Sequence, residues 1–171
     1  MPRTVRTKVY KFNELTEEAK ETAINEFQDI NVQHGWWEDT YMDAENIGLK
    51  LTSFDIDRNR NAEGYFLLSA NEVAANIMKE HGEQCETYKT AERFMEEWQP
   101  LFNDYMNEES DSYEDDNDLM VCEQEFLKSL CEDYSIMLQN QYEYLQSDDA
   151  IIETIEVNDY DFLANGKTFN L

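Results

Sequence analysis

Apolar and polar positions alternate at the start of the chain and then change to a helical repeat. Residues 3–12 (RTVRTKVYKF) alternate and are rich in β-branched and aromatic types, which predicts a strand. Thr16 and the two glutamates after it form a helix cap, and the following apolar residues predict a helix that ends near Gly35. A second helix is predicted from Trp37 to Asn46, closed by Gly48 in the position that favours a left-handed residue.

The middle of the chain predicts a hairpin followed by two helices. The hairpin strands are residues 49–56 and 65–68, and the polar loop DRNRNAEG joins them. Residues 71–81 and 87–98 have the pattern of helices. Pro100 is expected to end or kink the second of these helices.

The C-terminal half predicts one long helix and one short helix. Apolar residues from Leu119 to Leu145 recur at spacings of three and four or their multiples, which is typical of one helix face. A short helix is predicted from Asp148 to Glu156, with Ser147 as its cap.

The last segment, YDFLANGKTFNL, has the signature of a two-residue type I′ hairpin, because an Asn-Gly pair separates alternating apolar residues. This turn would place Phe162 opposite Phe169 and Tyr160 opposite Leu171. A two-stranded hairpin is marginal alone, so we expect these strands to join the three earlier ones. The predicted fold class is therefore α+β, an antiparallel sheet of about four to five strands packed by several helices, including the long one.

The composition adds a large negative charge to this picture. A chain of 171 residues suits one domain, residues 1–171, and 41% hydrophobic residues are enough for a core. The 39 acidic and 13 basic residues give a net charge of -26, whereas solubility needs a magnitude of only about 2 to 8. Two explanations of this excess charge involve no binding function: a salt-adapted proteome or a chance acidic surface. A third explanation is functional, namely a surface that binds a positively charged partner.

The acids are concentrated in the last third of the chain. Residues 107–171 contain 18 acidic and 2 basic residues, a net charge of -16. Within them, residues 107–118 (NEESDSYEDDND) have seven acids and no base, which predicts an acidic surface loop. The residues predicted to bind a partner are Glu108, Glu109, Asp111, Glu114, Asp115, Asp116, Asp118, Glu123, Glu125, Glu132, Asp133, Asp148 and Asp149.

No pattern of catalytic or metal-binding residues is complete. The Asp and Asn residues between positions 55 and 61 lack the glycine and the glutamate of a calcium loop. His81 and Cys85 are separated by the helix-breaking Gly82, and no further pair completes a zinc site. Phosphate-binding glycine loops, nucleophile elbows and HExxH motifs are missing. We therefore predict a protein that is not an enzyme and needs no cofactor or metal.

Compartment and partners follow from the same composition. Three cysteines without a CxxC pair and a start without an apolar signal segment predict a reducing cytoplasm, that of the host cell if a phage encodes the protein. No apolar run approaches the roughly 20 residues of a membrane helix, so no membrane function is expected. The negative charge also disfavours direct binding of nucleic acid. Assembly as a homodimer is left open.

Two segments, KVYKFNELTEEAKETAI and WWEDTYMDAENIGLKLTSFDIDR, resemble a family of small uncharacterised phage and prophage proteins. These proteins are sometimes labelled antitoxin of a toxin-antitoxin stability system. The resemblance covers roughly residues 8–98 and the closing hairpin, and the acidic stretch between them has no counterpart. It implies a mobile-element origin and a neutralising, protein-binding role, and it implies no defined site residues.

These observations lead to one main functional hypothesis and two alternatives. Duplex DNA carries about one charge per 1.7 Å, so 26 charges correspond to roughly 13 base pairs. The main hypothesis is an inhibitor of anti-CRISPR or anti-restriction type, a DNA mimic that binds the basic nucleic-acid-binding surface of a host defence nuclease. The first alternative is an antitoxin-like protein that neutralises one toxin through shape. The second is a small hydrolase that uses carboxylates.

Overall fold

The structure, a computed structural model, describes residues 6–107 and 113–169, with the backbone alone for residues 113–116. Across these residues the chain forms six α-helices and one sheet of two antiparallel strands. The predicted α+β fold with a sheet of four to five strands is therefore wrong, because most of the described chain is helical.

The elements follow the chain in this order: α1 (Glu17–Glu26), α2 (Glu38–Ile47), β1 (Leu49–Asp55), β2 (Asn61–Phe66), α3 (Ala70–Glu80), α4 (Glu86–Asn107), α5 (Tyr113–Leu145) and α6 (Asp148–Val157). The predicted caps are confirmed: the Thr16 hydroxyl accepts a hydrogen bond from the Ala19 amide at 3.3 Å. Gly48 ends α2 with φ of 95°. In the described part of the chain, no helix is both long and apolar enough to cross a membrane.

The chain divides into two compact units. The terminal unit comprises Met1–Trp36 and Gln141–Leu171, and the central unit comprises Trp37–Asn140. Each has its own buried cluster. The cluster of the terminal unit is formed by Phe12, Leu15, Ala19, Ala23, Ile151, Ile155 and Phe162. The single-domain prediction stays a prediction, since two clusters are compatible with one or two folding units.

Of the predicted first strand, residues 3–5 lie outside the described ranges, and residues 6–12 form a single bridge. Tyr10 exchanges two backbone hydrogen bonds with Phe162, at 2.9 and 2.8 Å. The chain then turns into a short 3₁₀ helix, Phe12–Glu14, in which the Lys11 amide donates to the Glu14 carboxylate at 2.8 Å. Burying the Phe12 ring in the terminal cluster requires this turn, so the alternating pattern does not continue as a strand.

The closing hairpin has a different turn and register from those predicted. The Gly166 amide donates to the Leu163 carbonyl at 2.9 Å, and the Leu163 amide donates to the Lys167 carbonyl at 2.8 Å. Gly166 has φ of 83°, so the loop has three residues and ends in a glycine bulge. The extra residue shifts the pairing, and Phe162 bridges Thr168 instead of Phe169. The predicted pair of Tyr160 and Leu171 involves a residue outside the described ranges.

The sheet in the central unit is formed by β1 and β2 alone. Leu49 pairs with Phe66 at one end, and Asp55 pairs with Asn61 at the other. The second strand therefore starts four residues earlier than predicted. The Asp55 carboxylate accepts a hydrogen bond from the Asp57 amide at 2.8 Å, which closes the loop early. The closing hairpin belongs to the terminal unit and does not extend this sheet.

The C-terminal end of α4 and the N-terminal start of α5 differ from the predicted positions. Pro100 lies inside α4 and does not end it, because proline removes a single backbone donor while the buried face continues with Trp98 stacked on Phe102 at 4.5 Å. The long helix α5 ends at Leu145, as predicted, but it begins at Tyr113. Residues 113–118 of the predicted acidic loop are therefore helical, and residues 108–112 lie outside the described ranges.

Candidate functional site

The helices α4 and α5 form an antiparallel pair in the central unit, here called the helical hairpin (residues 86–140). The Thr90 hydroxyl donates to the Asp133 carboxylate at 2.7 Å near one end. The Trp98 indole N–H donates to the Glu123 carboxylate at 3.2 Å further along. From Thr90 to Trp98 the residue numbers of α4 rise, while those of their partners on α5 fall from Asp133 to Glu123, so the two helices run antiparallel.

The helical hairpin carries much of the negative charge of the protein. Its 55 residues include 16 acidic and 3 basic ones, which gives -13 of the total -26. Lys89 pairs with Glu86 at 2.7 Å, and Arg60 approaches Glu132 at 3.9 Å. Among the described residues, no other acid of the hairpin has a lysine or arginine within 4.0 Å. Most of the described acids of the helical hairpin are therefore not neutralised by ion pairs.

Three of the predicted site residues form a row on α5. Asp118, Glu125 and Glu132 are exposed and follow one another at seven-residue intervals. Seven residues make almost two helical turns, so their Cα atoms lie near one line, about 10.5 Å apart. We call these three residues the acidic row. Lys128 is exposed on the same side of α5 and interrupts the row.

Two other predicted site residues on α5 point toward α4. Glu123 is half-buried and accepts the hydrogen bond from Trp98. Asp133 is half-buried and accepts the hydrogen bond from Thr90. The helical hairpin brings these two carboxylates into its own packing and leaves the acidic row facing solvent.

The remaining predicted site residues fall into three groups. Those outside the described ranges are Glu108, Glu109 and Asp111. Those in the first turn of α5, with only the backbone described, are Glu114, Asp115 and Asp116. Those in the first turn of α6, exposed and within the terminal unit, are Asp148 and Asp149. The last two complement the positive end of their own helix dipole.

The position of Asp133 in the helical hairpin disfavours its charged form, and the effect on the free energy of unfolding can be measured. Burial raises the pKa of the Asp133 carboxyl above its usual value, and the nearby charges of Glu86 and Glu132 raise it further. A carboxyl whose pKa is higher in the folded state stabilises the fold below the unfolded pKa. That contribution is lost as the pH rises through the folded pKa.

We therefore expect Asp133→Asn to increase the free energy of unfolding at pH 7 by about 0.5 to 1 kcal/mol. The asparagine oxygen still accepts the hydrogen bond from Thr90, while the buried charge is removed. The gain should disappear below about pH 3, where the aspartate is protonated in both states. Urea unfolding at both pH values measures this, with the exposed Asp118→Asn as control. A gain no larger than that of the control would contradict the prediction.

A second polar arrangement in the central unit was not foreseen from the sequence. The Tyr134 hydroxyl donates to Asp43 Oδ2 at 2.8 Å, and His81 Nε2 lies 3.5 Å from Asp43 Oδ1. His81 Nδ1 and Thr87 Oγ1 are 2.7 Å apart. The contact with the imidazole, and to a smaller extent the hydrogen bond with the tyrosine, lowers the pKa of Asp43. Burial, and to a smaller extent the charge of Asp43, raises the pKa of Tyr134. These four residues, called the histidine chain below, join α2, α4, α5 and the end of α3.

The histidine chain was missed because its members are far apart in sequence. Among the cysteines and histidines, only Cys85 is close to His81 in sequence, which indicates a possible zinc ligand pair, and Tyr134 belongs to the apolar repeat between Leu119 and Leu145. Among the described residues, no group of three or more metal-binding side chains is present. The Thr87 hydroxyl resembles the nucleophile of a triad in its bond to histidine, but the residue is only 3% exposed. The arrangement suits binding better than nucleophilic attack.

Large apolar side chains are exposed toward the C-terminal end of α4 and the N-terminal end of α5. They are Tyr105, Met106, Met120 and Val121, which are 45%, 65%, 51% and 41% exposed. Asp104 and Asp118 are exposed beside them in sequence. Apolar side chains among acids at one end of the helical hairpin are typical of a protein-binding surface.

No protein-family model, no curated protein and no solved structure matches this chain significantly. The resemblance to phage and prophage proteins therefore stays a prediction. The function has to be argued from the site itself.

Proposed function

We propose that this protein binds the basic nucleic-acid-binding surface of a host defence nuclease through its helical hairpin and thereby excludes DNA or RNA. The observation that carries the proposal is the net charge of -13 on residues 86–140, in which two of the described acids pair with a lysine or arginine and the other described acids do not. A phage or mobile-element origin and action in the host cytoplasm belong to the same proposal.

The charge density supports mimicry of a single strand better than of a duplex. The 28 residues of α5 within the helical hairpin, 113–140, extend about 42 Å. Residues 113–140 contain 8 acidic and 1 basic residue, so their net charge of -7 over that length is about one charge per 6 Å, which is nearer to the one per 3.4 Å of a single DNA strand than to the one per 1.7 Å of a duplex. A groove that holds one strand is therefore the expected target.

Charge and apolar contacts would have separate roles in this complex. Carboxylates that face basic side chains accelerate association and make it sensitive to salt. Slow dissociation requires buried apolar or aromatic anchors. Tyr105, Met106 and Met120 are exposed at the end of the helical hairpin and supply such anchors.

The test is a competition assay. Labelled DNA bound to CRISPR effectors and restriction endonucleases is displaced by this protein, in salt from about 50 to about 500 mM. The wild type should displace DNA less effectively as salt increases. The variant with Asp118→Asn, Glu125→Gln and Glu132→Gln should need at least about 10-fold more protein and show a weaker salt dependence.

A matched control separates position from total charge. Glu21→Gln, Glu153→Gln and Glu156→Gln change the net charge by the same three units on exposed residues of the terminal unit. This control should displace DNA within about threefold of the wild type. Displacement that is insensitive to salt and to loss of the acidic row would contradict the proposal.

The exposed apolar residues favour a second candidate, an antitoxin-like protein that neutralises one toxin by shape. Met106 and Met120 are 65% and 51% exposed near one end of the helical hairpin, and exposed apolar side chains grouped in one place are a feature of protein-binding sites. In this case Met106→Ser with Met120→Ser would abolish rescue from the co-expressed toxin, and loss of the acidic row would leave rescue unchanged.

A further inference from the structure

The central unit contains a cavity of about 430 Å³ beside the histidine chain. Its walls come from α2, from residues 80–87 at the turn between α3 and α4, and from residues 133–140 of α5. This volume lies within the range of small-molecule sites in proteins, about 300 to 1,000 Å³. The cavity has no part in the function proposed above, which uses the outer face of the helical hairpin.

The cavity wall is negatively charged. Four carboxylates line it, those of Asp43, Glu80, Glu86 and Asp133, and no lysine or arginine is present among the described residues that do so. Lys79 pairs with Glu80 at 2.8 Å and Lys89 pairs with Glu86 at 2.7 Å, both from outside this lining, so Asp43 and Asp133 are the lining carboxylates without a lysine or arginine within 4.0 Å among the described residues. Burial and like charge already raise the pKa of Asp133, so a bound cation would relieve an existing repulsion. An anionic ligand is excluded by the same charges.

Two polar atoms in the wall are placed for a donor. His81 is 10% exposed in its side chain, and its Nε2 atom is buried without a hydrogen-bond partner. The 3.5 Å separation of this atom from Asp43 Oδ1 is long for a hydrogen bond. When Nδ1 donates to Thr87, Nε2 presents its lone pair. Nε2 and Oδ1 then form two adjacent acceptors.

The wall also has an apolar part. Ile136 and Met137 of α5 and Cys85 line the cavity there. Such a surface packs against the methylene stem of a long cationic side chain. Two adjacent acceptors match the planar fork of a guanidinium, which presents several N–H donors in a fixed geometry, better than a single ammonium.

From this geometry we infer that the cavity binds an organic cation with a guanidinium head and an aliphatic stem. Asp43 and His81 accept from the head, Asp133 supplies further negative charge, and Met137 covers the stem. The cation is either an arginine side chain of a basic partner protein or a free guanidinium compound. Binding of an arginine side chain from a partner protein rests on the function proposed above, whereas binding of a free guanidinium compound does not.

The test uses two probes, n-butylguanidinium for a free compound and N-acetyl-arginine-N′-methylamide for an arginine residue in a chain. Binding is followed by NMR chemical shifts of the whole protein at low salt. At least one probe should saturate with a Kd of about 1 mM, the range expected for so few atoms. n-Butylammonium should bind at least about 5-fold more weakly than n-butylguanidinium. Failure of both guanidinium probes to saturate would overturn the inference.

Matched variants locate the binding. Asp43→Asn should weaken it at least about 10-fold, while Asp39→Asn, exposed one turn earlier on α2, should change it less than about twofold. Equal losses in both would indicate a general charge effect and overturn the inference.

A second pair of variants does not disturb the histidine chain. Met137→Lys places an ammonium within reach of the cavity and should abolish probe binding, whereas Met120→Lys, on the same helix outside the lining, should not. Binding retained in Met137→Lys would overturn the inference.

The two probes also distinguish the sources. Binding of both supports an arginine residue as ligand, and binding of n-butylguanidinium alone supports a free compound. Because these variants leave the acidic row intact, failure of the probes together with salt-sensitive displacement of DNA would overturn the cavity inference alone. Probe binding without displacement would count against the proposed function alone.

Discussion

Replacing Gly166 with alanine is expected to lower the free energy of unfolding by about 3 to 5 kcal/mol. Gly166 has φ of 83°, a left-handed conformation that costs an alanine about 1 to 2 kcal/mol. A Cβ atom at this position would overlap the backbone carbonyl oxygen of Ala19 in α1. Because that oxygen belongs to a helix backbone, it cannot rotate away, and the turn has to move from the terminal cluster.

Gly82→Ala is the matched control for this change. A Cβ atom on Gly82 meets no heavy atom within 4 Å, and its φ is not in the left-handed range. Its effect should be within about 0.5 kcal/mol of zero, or slightly stabilising through the unfolded chain. Urea unfolding of both variants measures the difference. Equal stabilities would show that the Gly166 turn does not pack against α1 as described.

Phe126→Ala is expected to lower the free energy of unfolding by a similar amount, about 3 to 5 kcal/mol. The Phe126 ring is 3% exposed and stacks on Phe94 of α4, with centroids 4.1 Å apart and an angle of 8° between the planes. It also contacts Phe66 of β2 at 5.5 Å. Truncation removes apolar burial from α5, α4 and the sheet at once and leaves a cavity between rigid elements.

Val121→Ala provides the comparison on the same helix. Val121 is 41% exposed, so losing its methyl groups should cost less than about 0.5 kcal/mol. A cost for Phe126→Ala close to that of Val121→Ala would mean that α4 and α5 are not packed through these aromatic rings.

The two large effects also test the single-domain prediction. Gly166 belongs to the terminal unit and Phe126 to the central unit. If the chain unfolds as one domain, both variants shift one common transition. If the units unfold separately, each variant shifts a different transition, and the single-domain prediction is wrong.

Helix positions were largely predictable because their signals are local. The caps at Thr16 and Ser147 and the left-handed Gly48 act within one helical turn, so their residues are visible in a short stretch of sequence. The apolar spacing of α5 predicted its C-terminal end at Leu145 for the same reason. Its N-terminal start was missed because a dense run of acids has the composition of a loop even where the backbone is helical.

Sheet membership depended on contacts between distant residues and was predicted wrongly. An alternating pattern shows that one face of a segment is apolar, but it does not show which backbone will supply the hydrogen bonds. Among the described residues around Tyr10, the backbone forms one bridge, to Phe162. The extra residue in the Gly166 turn changed the register of the closing hairpin. The predicted large sheet is therefore absent from the described residues.

The candidate sites divide in the same way. Composition alone determined that this protein carries an uncompensated negative charge concentrated in its last third, because charge is additive along the chain. Only the tertiary structure decided which carboxylates face solvent, as in the acidic row, and which are used in packing, as with Glu123 and Asp133. It also brought Asp43, His81 and Tyr134 together from positions up to 91 residues apart, and placed Asp43 and His81 in the wall of one cavity. Side-chain proximity between helices depends on how their buried faces pack, and no local pattern records that.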